Sequence, residues 1–190
     1  DMAAISGYSD YGAVEITNTA NGELYAGSLY GDAIGIYGYS LTGDVSIDNA
    51  GDITAYSYAG LADGIFASGA NVEVANSGAI ESYGYTWSAG IEAQGADSVV
   101  VDNSGDITAY TGPFVQVLDG YGYTIGYSAG GTAYGIYATG GEVGASVTNS
   151  GNIEVQGGYV TGIAVQSSGD LVVDNSGDIG AGSGPNSYYN

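Results

Sequence analysis

Residues 99–110 read Val99-Val100-Val101-Asp102-Asn103-Ser104-Gly105-Asp106-Ile107-Thr108-Ala109-Tyr110. Apolar side chains alternate with others at Val99 and Val101, a turn follows at Asn103-Ser104-Gly105, and alternation resumes at Ile107 and Ala109. Period-two alternation on both sides of an Asn-Ser-Gly turn is the pattern of two short strands, not of an amphipathic helix. The same pattern occurs six times along the chain. Further clear copies are Val45, Ile47, Asn49, Gly51, Ile53 and Val72, Val74, Asn76, Gly78, Ile80. Ala145, Val147, Asn149, Gly151, Ile153 and Leu171, Val173, Asn175, Gly177, Ile179 follow later. Val14, Ile16, Asn18, Gly22, Leu24 form a looser first copy with two extra residues in its turn.

A second motif, Gly-Ile plus one further residue, alternates strictly with the first: Gly35-Ile36-Tyr37, Gly64-Ile65-Phe66, Gly90-Ile91-Glu92, Gly135-Ile136-Tyr137 and Gly162-Ile163-Ala164. Between successive asparagines the steps are 31, 27, 27, 46 and 26 residues, so the unit is near 27 and the long step carries an insertion. This Gly- and Tyr-rich insertion falls at about residues 112–129 of a single domain spanning 1–190. A repeat of this length built from short strands and turns, with no helix, specifies an all-β parallel β-helix. Two or three strands make each rung, and six rungs at about 4.8 Å stand roughly 29 Å tall.

Stacking at equivalent positions produces core columns. One is Val14, Val45, Val72, Val99, Ala145, Leu171; another is Ile16, Ile47, Val74, Val101, Val147, Val173; a third is Ile36, Ile65, Ile91, Ile136, Ile163. Burying one such side chain contributes about 1.5–3 kcal/mol before conformational entropy, so the coil needs neither disulfide nor metal to hold it.

The stretches 47–56 (IDNAGDITAY), 101–110 (VDNSGDITAY) and 173–182 (VDNSGDIGAG) resemble the repetitive passenger regions of bacterial autotransporter (type V secreted) surface proteins. The resemblance covers most of the chain. It implies a right-handed parallel β-helix displayed on, or released from, an outer membrane. The C-terminal membrane barrel that defines that family has no counterpart in this sequence.

Composition narrows the function classes. The chain carries 21 Asp and Glu, no Lys, Arg or His, and no Cys. Without a side-chain cation it cannot build an internal salt bridge between side chains, and every acid must be solvated, hydrogen-bonded or met by an external cation. Such a surface repels nucleic acid and anionic membranes. Trypsin-like proteases find no cleavage site, which suits a secreted or cell-surface location. No run of about 18 apolar residues is present, so membrane insertion by a helix is not expected. The sequence starts at Asp1, and the expectation is a processed segment whose export signal has been removed.

Three sets of residues are candidates for function. Asn49, Asn76, Asn103, Asn149 and Asn175 form a column whose amides can bond along the stacking axis, a structural ladder. Asp48, Asp52, Asp102, Asp106, Asp174 and Asp178 flank the same turn on alternate rungs, while the rungs between carry Thr17 and Asn21, Ala75 and Ala79, Thr148 and Asn152. Alternation doubles the distance between like charges to about 9.6 Å; the alternative is an acidic edge that binds Ca²⁺, the only cofactor the pattern suggests. Tyr37, Tyr56, Phe66, Tyr83, Tyr110 and Tyr137 recur at outward positions. They serve cross-strand packing or a contact surface for a glycan, a cell-surface partner or another copy.

No cation or imidazole is available to clamp an acidic sugar or shuttle protons, so no enzymatic activity is expected. The function expected is an extracellular structural protein: a self-assembling fibre subunit or a surface adhesin or spacer. No polar or helical cap is visible at either end, and the last turn leads into a Gly-rich tail ending Tyr188-Tyr189-Asn190. Either the chain is a fragment cut from a longer coil, or copies stack head to tail into a homopolymer, and stacking is the favoured expectation. The alternative is a carbohydrate-binding or polysaccharide-degrading β-helix.

Overall fold

The structure, a computed structural model, describes residues 2–112, 115–118, 124–128 and 130–183. The tail ending in Tyr188-Tyr189-Asn190 lies outside the described residues. The chain winds into six rungs. The first is β1 (Met2–Ser9), β2 (Val14–Asn18) and β3 (Leu24–Ser28), and the second is β4 (Ala33–Ser40), β5 (Val45–Asn49) and β6 (Ile53–Ser57). In the third and fourth, two segments merge into one long strand: β7 (Leu61–Asn76) with β8 (Ile80–Gly84), then β9 (Trp87–Asn103) with β10 (Ile107–Thr111). Between the fourth and fifth rungs, β11 (Val115–Leu118) and β12 (Thr124–Ser128) pair antiparallel, inside the span 112–129. The fifth rung is β13 (Thr132–Gly140), β14 (Gly144–Asn149) and β15 (Ile153–Gly157), and the sixth is β16 (Tyr159–Ser167), β17 (Asp170–Asn175) and β18 (Ile179–Ser183).

Each rung has three faces, and all pairing between rungs is parallel. The first face runs β1-β4-β7-β9-β13-β16 and the third runs β3-β6-β8-β10-β15-β18. The second joins β2, β5, the ends of β7 and β9, β14 and β17. The register is the one the repeat dictates: Val14 pairs Val45, Val45 pairs Val72, Val72 pairs Val99, Val99 pairs Ala145 and Ala145 pairs Leu171. Strand β5 alternates buried and exposed along its length, as a strand with one face on a core must. Inside lie stacked Val and Ile, with Ile36, Ile65, Ile91 and Ile136 fully buried on the first face and Ile53, Ile80, Ile107 and Ile153 on the third.

Glycine makes the two motifs interdependent. A Cβ on Gly90 would lie 2.2 Å from Ile107 Cγ2, and one on Gly64 would lie 2.2 Å from Ile80 Cγ2. The glycine of each Gly-Ile pair thus admits the isoleucine that follows the Asn-Ser-Gly turn of its own rung, and this is why the motifs alternate without exception. The turn glycines serve close approach between rungs: a Cβ on Gly105 would lie 2.0 Å from the Gly78 carbonyl oxygen. Backbone conformation is not their reason, since the described residues contain a positive φ only at Gly144.

Candidate functional site

The asparagine column is a directional ladder on the interior of the second face. Each side-chain amide from Asn18 to Asn149 donates twice, and Asn175 donates once, to Gly177 O. Asn103 Nδ2 donates to Gly105 O in its own turn at 2.8 Å and to Asn149 Oδ1 of the following rung at 2.6 Å, while its Oδ1 accepts from Asn76 Nδ2 at 2.7 Å. The same arrangement links Asn18 to Asn49 (2.8 Å), Asn49 to Asn76 (2.7 Å) and Asn149 to Asn175 (2.7 Å). Turn backbones add a bond in the opposite sense, as when Ser104 N donates to Asn76 O at 2.8 Å. No buried side-chain polar atom among the described residues lacks a partner. Asn18 joins the ladder as its first member.

The acidic edge lies outside this ladder. Asp48, Ala75, Asp102, Thr148 and Asp174 stand in register, with Thr17 before them, so charged and neutral rungs alternate in that column. The second column departs from the expected one in its first rung. Leu24 pairs Ile53, and the two extra turn residues loop out before Gly22, so the acid Glu23 occupies the position expected for Asn21. Glu23 and Asp52 are therefore neighbours of like charge. Farther along, the acids bond the next turn: Asp52 Oδ1 accepts from Ala79 N at 3.0 Å and Asp106 Oδ1 from Asn152 N at 2.9 Å. This hydrogen-bonding role is legible only once the register is known. Asp48 and Asp102 share a shallow groove of about 310 Å³ with Ala75 and Thr148. Among the described residues, no three acidic side chains converge to hold a metal ion.

The six predicted aromatic residues divide between two faces. Tyr56, Tyr83 and Tyr110 follow one another on the third, their rings tilted by 44° and 48° with centroids 6.3 and 6.1 Å apart. Together with Tyr58 and Tyr85, which the repeat does not single out, they line an open groove of about 460 Å³. Tyr37 and Phe66 lie on the first face, their rings parallel and 5.3 Å apart. Glu92 interrupts that column, and beyond it Tyr137 packs edge-on against Trp87 with centroids 5.8 Å apart.

A further cluster there departs from the repeat. Asp63 is 2% exposed although its column neighbours Ile34, Ala89 and Tyr134 set it on the outer side of the strand. Trp87 covers it, with Nε1 donating to Asp63 Oδ1 at 3.1 Å. Burial above all, then the charge of Glu92, pushes the Asp63 carboxyl well above the usual carboxylate range; hydrogen bonds from Trp87 and the Ala89 backbone oppose this. Burial also raises Glu92, against the hydrogen bonds of Gln94 and Trp87. The signal in the sequence is slight: Glu92 is the one acid in the position after Gly-Ile.

Comparison of the chain with family models, curated proteins and solved structures found no match. No helix long and apolar enough to cross a membrane occurs among the described residues.

Proposed function

We propose that the chain is an extracellular structural protein, a fibre subunit or surface spacer whose coil continues head to tail into another copy. The observation that carries this is the open apolar end of the sixth rung, together with a ladder donor there and a ladder acceptor on the first rung, whose own core residues Val14 and Ile16 are buried. On the sixth rung the core positions Leu171, Val173 and Ile179 are 48%, 47% and 41% exposed, whereas their equivalents one rung earlier are buried. Asn175 donates to Gly177 O, and among the described residues its other amide hydrogen has no acceptor. Asn18 donates onward to Asn49, leaving its Oδ1 free to accept. A first rung set on a sixth therefore extends each Val and Ile column and the asparagine ladder in the same direction. Asp174 would then face the neutral Thr17, while Asp178 would face Glu23, so salt should favour the junction.

Secretion and surface display are supported by the absence of trypsin sites and by the resemblance to autotransporter passengers. The tyrosine groove supports a second reading, adhesion to an uncharged glycan, since rigid rings bind apolar sugar faces at small entropic cost and a net charge of −21 disfavours acidic ones.

Sedimentation and electron microscopy across a dilution series test the stacking. The expected result is rods that lengthen with concentration and salt, and that disappear in Val173→Glu while circular dichroism retains the β signal. A particle that stays at 18.9 kDa at every concentration overturns the proposal.

A further inference from the structure

The outer surface of the first face conceals two carboxyl groups in a chain that has no side-chain cation to neutralise them. Asp63 on β7 is 2% exposed and Glu92 on the adjacent β9 is 9% exposed. Every group that donates to them is neutral: the indole N–H of Trp87, the backbone of Ala89, and the amide of Gln94. An aromatic roof excludes water, with Trp87 packed on Tyr134 at 4.9 Å and on Tyr137 at 5.8 Å, and Tyr134 on Tyr137 at 5.1 Å. Phe66 stands beside Glu92 in its column and extends the cover toward Tyr37. The remaining charged group facing Asp63 is Asp32, on the turn before β4, again an acid. The other titratable side chains beside the pair are the phenols Tyr134 and Tyr137, in register with Ala89 and Glu92.

Two ionised carboxylates in so dry a site would carry the desolvation of both charges and their mutual repulsion, with no cation to offset either. Neutral donors stabilise one carboxylate far better than two. We propose that Asp63 and Glu92 hold one proton between them at neutral pH, so that the third and fourth rungs carry a latch closed by acid and loosened by alkali. The charge of Glu92 raises Asp63, so the two titrations are linked. The direction on stability follows from linkage. Both groups are raised in the folded state, so the folded chain binds more protons than the unfolded one. Stability is then fully present below the unfolded carboxylate value of about 4 and is lost as pH rises through the folded one.

Trp87 is the only tryptophan, and it donates to the residue in question, so its emission reports the site directly. The experiment titrates the full chain from about pH 4 to about pH 10, following Trp87 emission and the infrared band of protonated carboxyl. Expected for the natural sequence are a carboxyl band that persists at neutral pH and a one-proton emission transition above the ordinary carboxylate range. Asp63→Asn keeps an acceptor for Trp87 and should lose both, and its urea midpoint should fall less between weakly acid and weakly alkaline pH. No protonated carboxyl at neutral pH in the natural sequence, or an identical transition in Asp63→Asn, overturns the proposal. Should Asp63→Asn fail to fold, the infrared and emission titration of the natural sequence decides alone.

Discussion

Asn103→Ala removes a residue from the middle of the asparagine ladder and leaves three groups without a partner. They are Gly105 O, Asn149 Oδ1 and one hydrogen of Asn76 Nδ2, from bonds of 2.8, 2.6 and 2.7 Å. Asn103 is buried, and each orphaned buried polar group costs about 1–3 kcal/mol. One water entering the vacated space relieves part of this, so the expected loss is about 3–5 kcal/mol. Asn18→Ala is the internal control. It removes one good bond, to Asn49 Oδ1 at 2.8 Å, and one long contact of 3.4 Å to Gly22 O, so it should cost about 1–2 kcal/mol. Asn103→Asp discriminates further, because a carboxylate sets its oxygens against Gly105 O and Asn149 Oδ1 with no hydrogen to give. It should be worse than alanine at neutral pH and should recover on acidification, when one O–H donor returns. Urea unfolding followed by circular dichroism measures all three. Equal costs for Asn103→Ala and Asn18→Ala, or a milder loss for Asn103→Asp than for Asn103→Ala at neutral pH, would refute a donor chain running from first rung to last.

Asp102→Asn, on the exposed edge beside the ladder, should be neutral or stabilising by about a few tenths of a kcal/mol in the same unfolding assay, because it removes charge and breaks no side-chain hydrogen bond among the described residues. Gly90→Ala should destabilise by about 1–3 kcal/mol or more, since its Cβ would lie 2.2 Å from Ile107 Cγ2 and 2.7 Å from the Gly135 carbonyl; the double variant Gly90→Ala, Ile107→Ala should recover part of the loss. Melting in CaCl₂ and in NaCl at matched ionic strength should rise equally by calorimetry, because no three acids converge among the described residues; a shift specific to Ca²⁺ would show that the acidic edge gathers around the ion.

What the sequence made legible is whatever repeats. A residue such as Val72 recurs at its rung position because the rung above and the rung below impose the same surroundings on it, and the sequence records that constraint six times over. Core columns, asparagine ladder and rung count could all be read for that reason. Spacing alone, however, does not say how a turn stores extra residues. Asn21 looked equivalent to Asp52 until the pairing of Leu24 with Ile53 set Glu23 there instead. Nor does periodicity distinguish a solvated outward position from a covered one. Asp63 and Glu92 occupy outward slots that other rungs fill with Ile34, Ala89, Tyr37 or Tyr137, and they are buried because Trp87 on one rung lies against Tyr134 on the next. A repeat averages over its copies, whereas a site specific to two rungs depends on the residues in which those rungs differ from the rest. The departures from the repeat are therefore where chemistry peculiar to this chain should be sought, and the unmatched acid in the Gly-Ile column is the first of them.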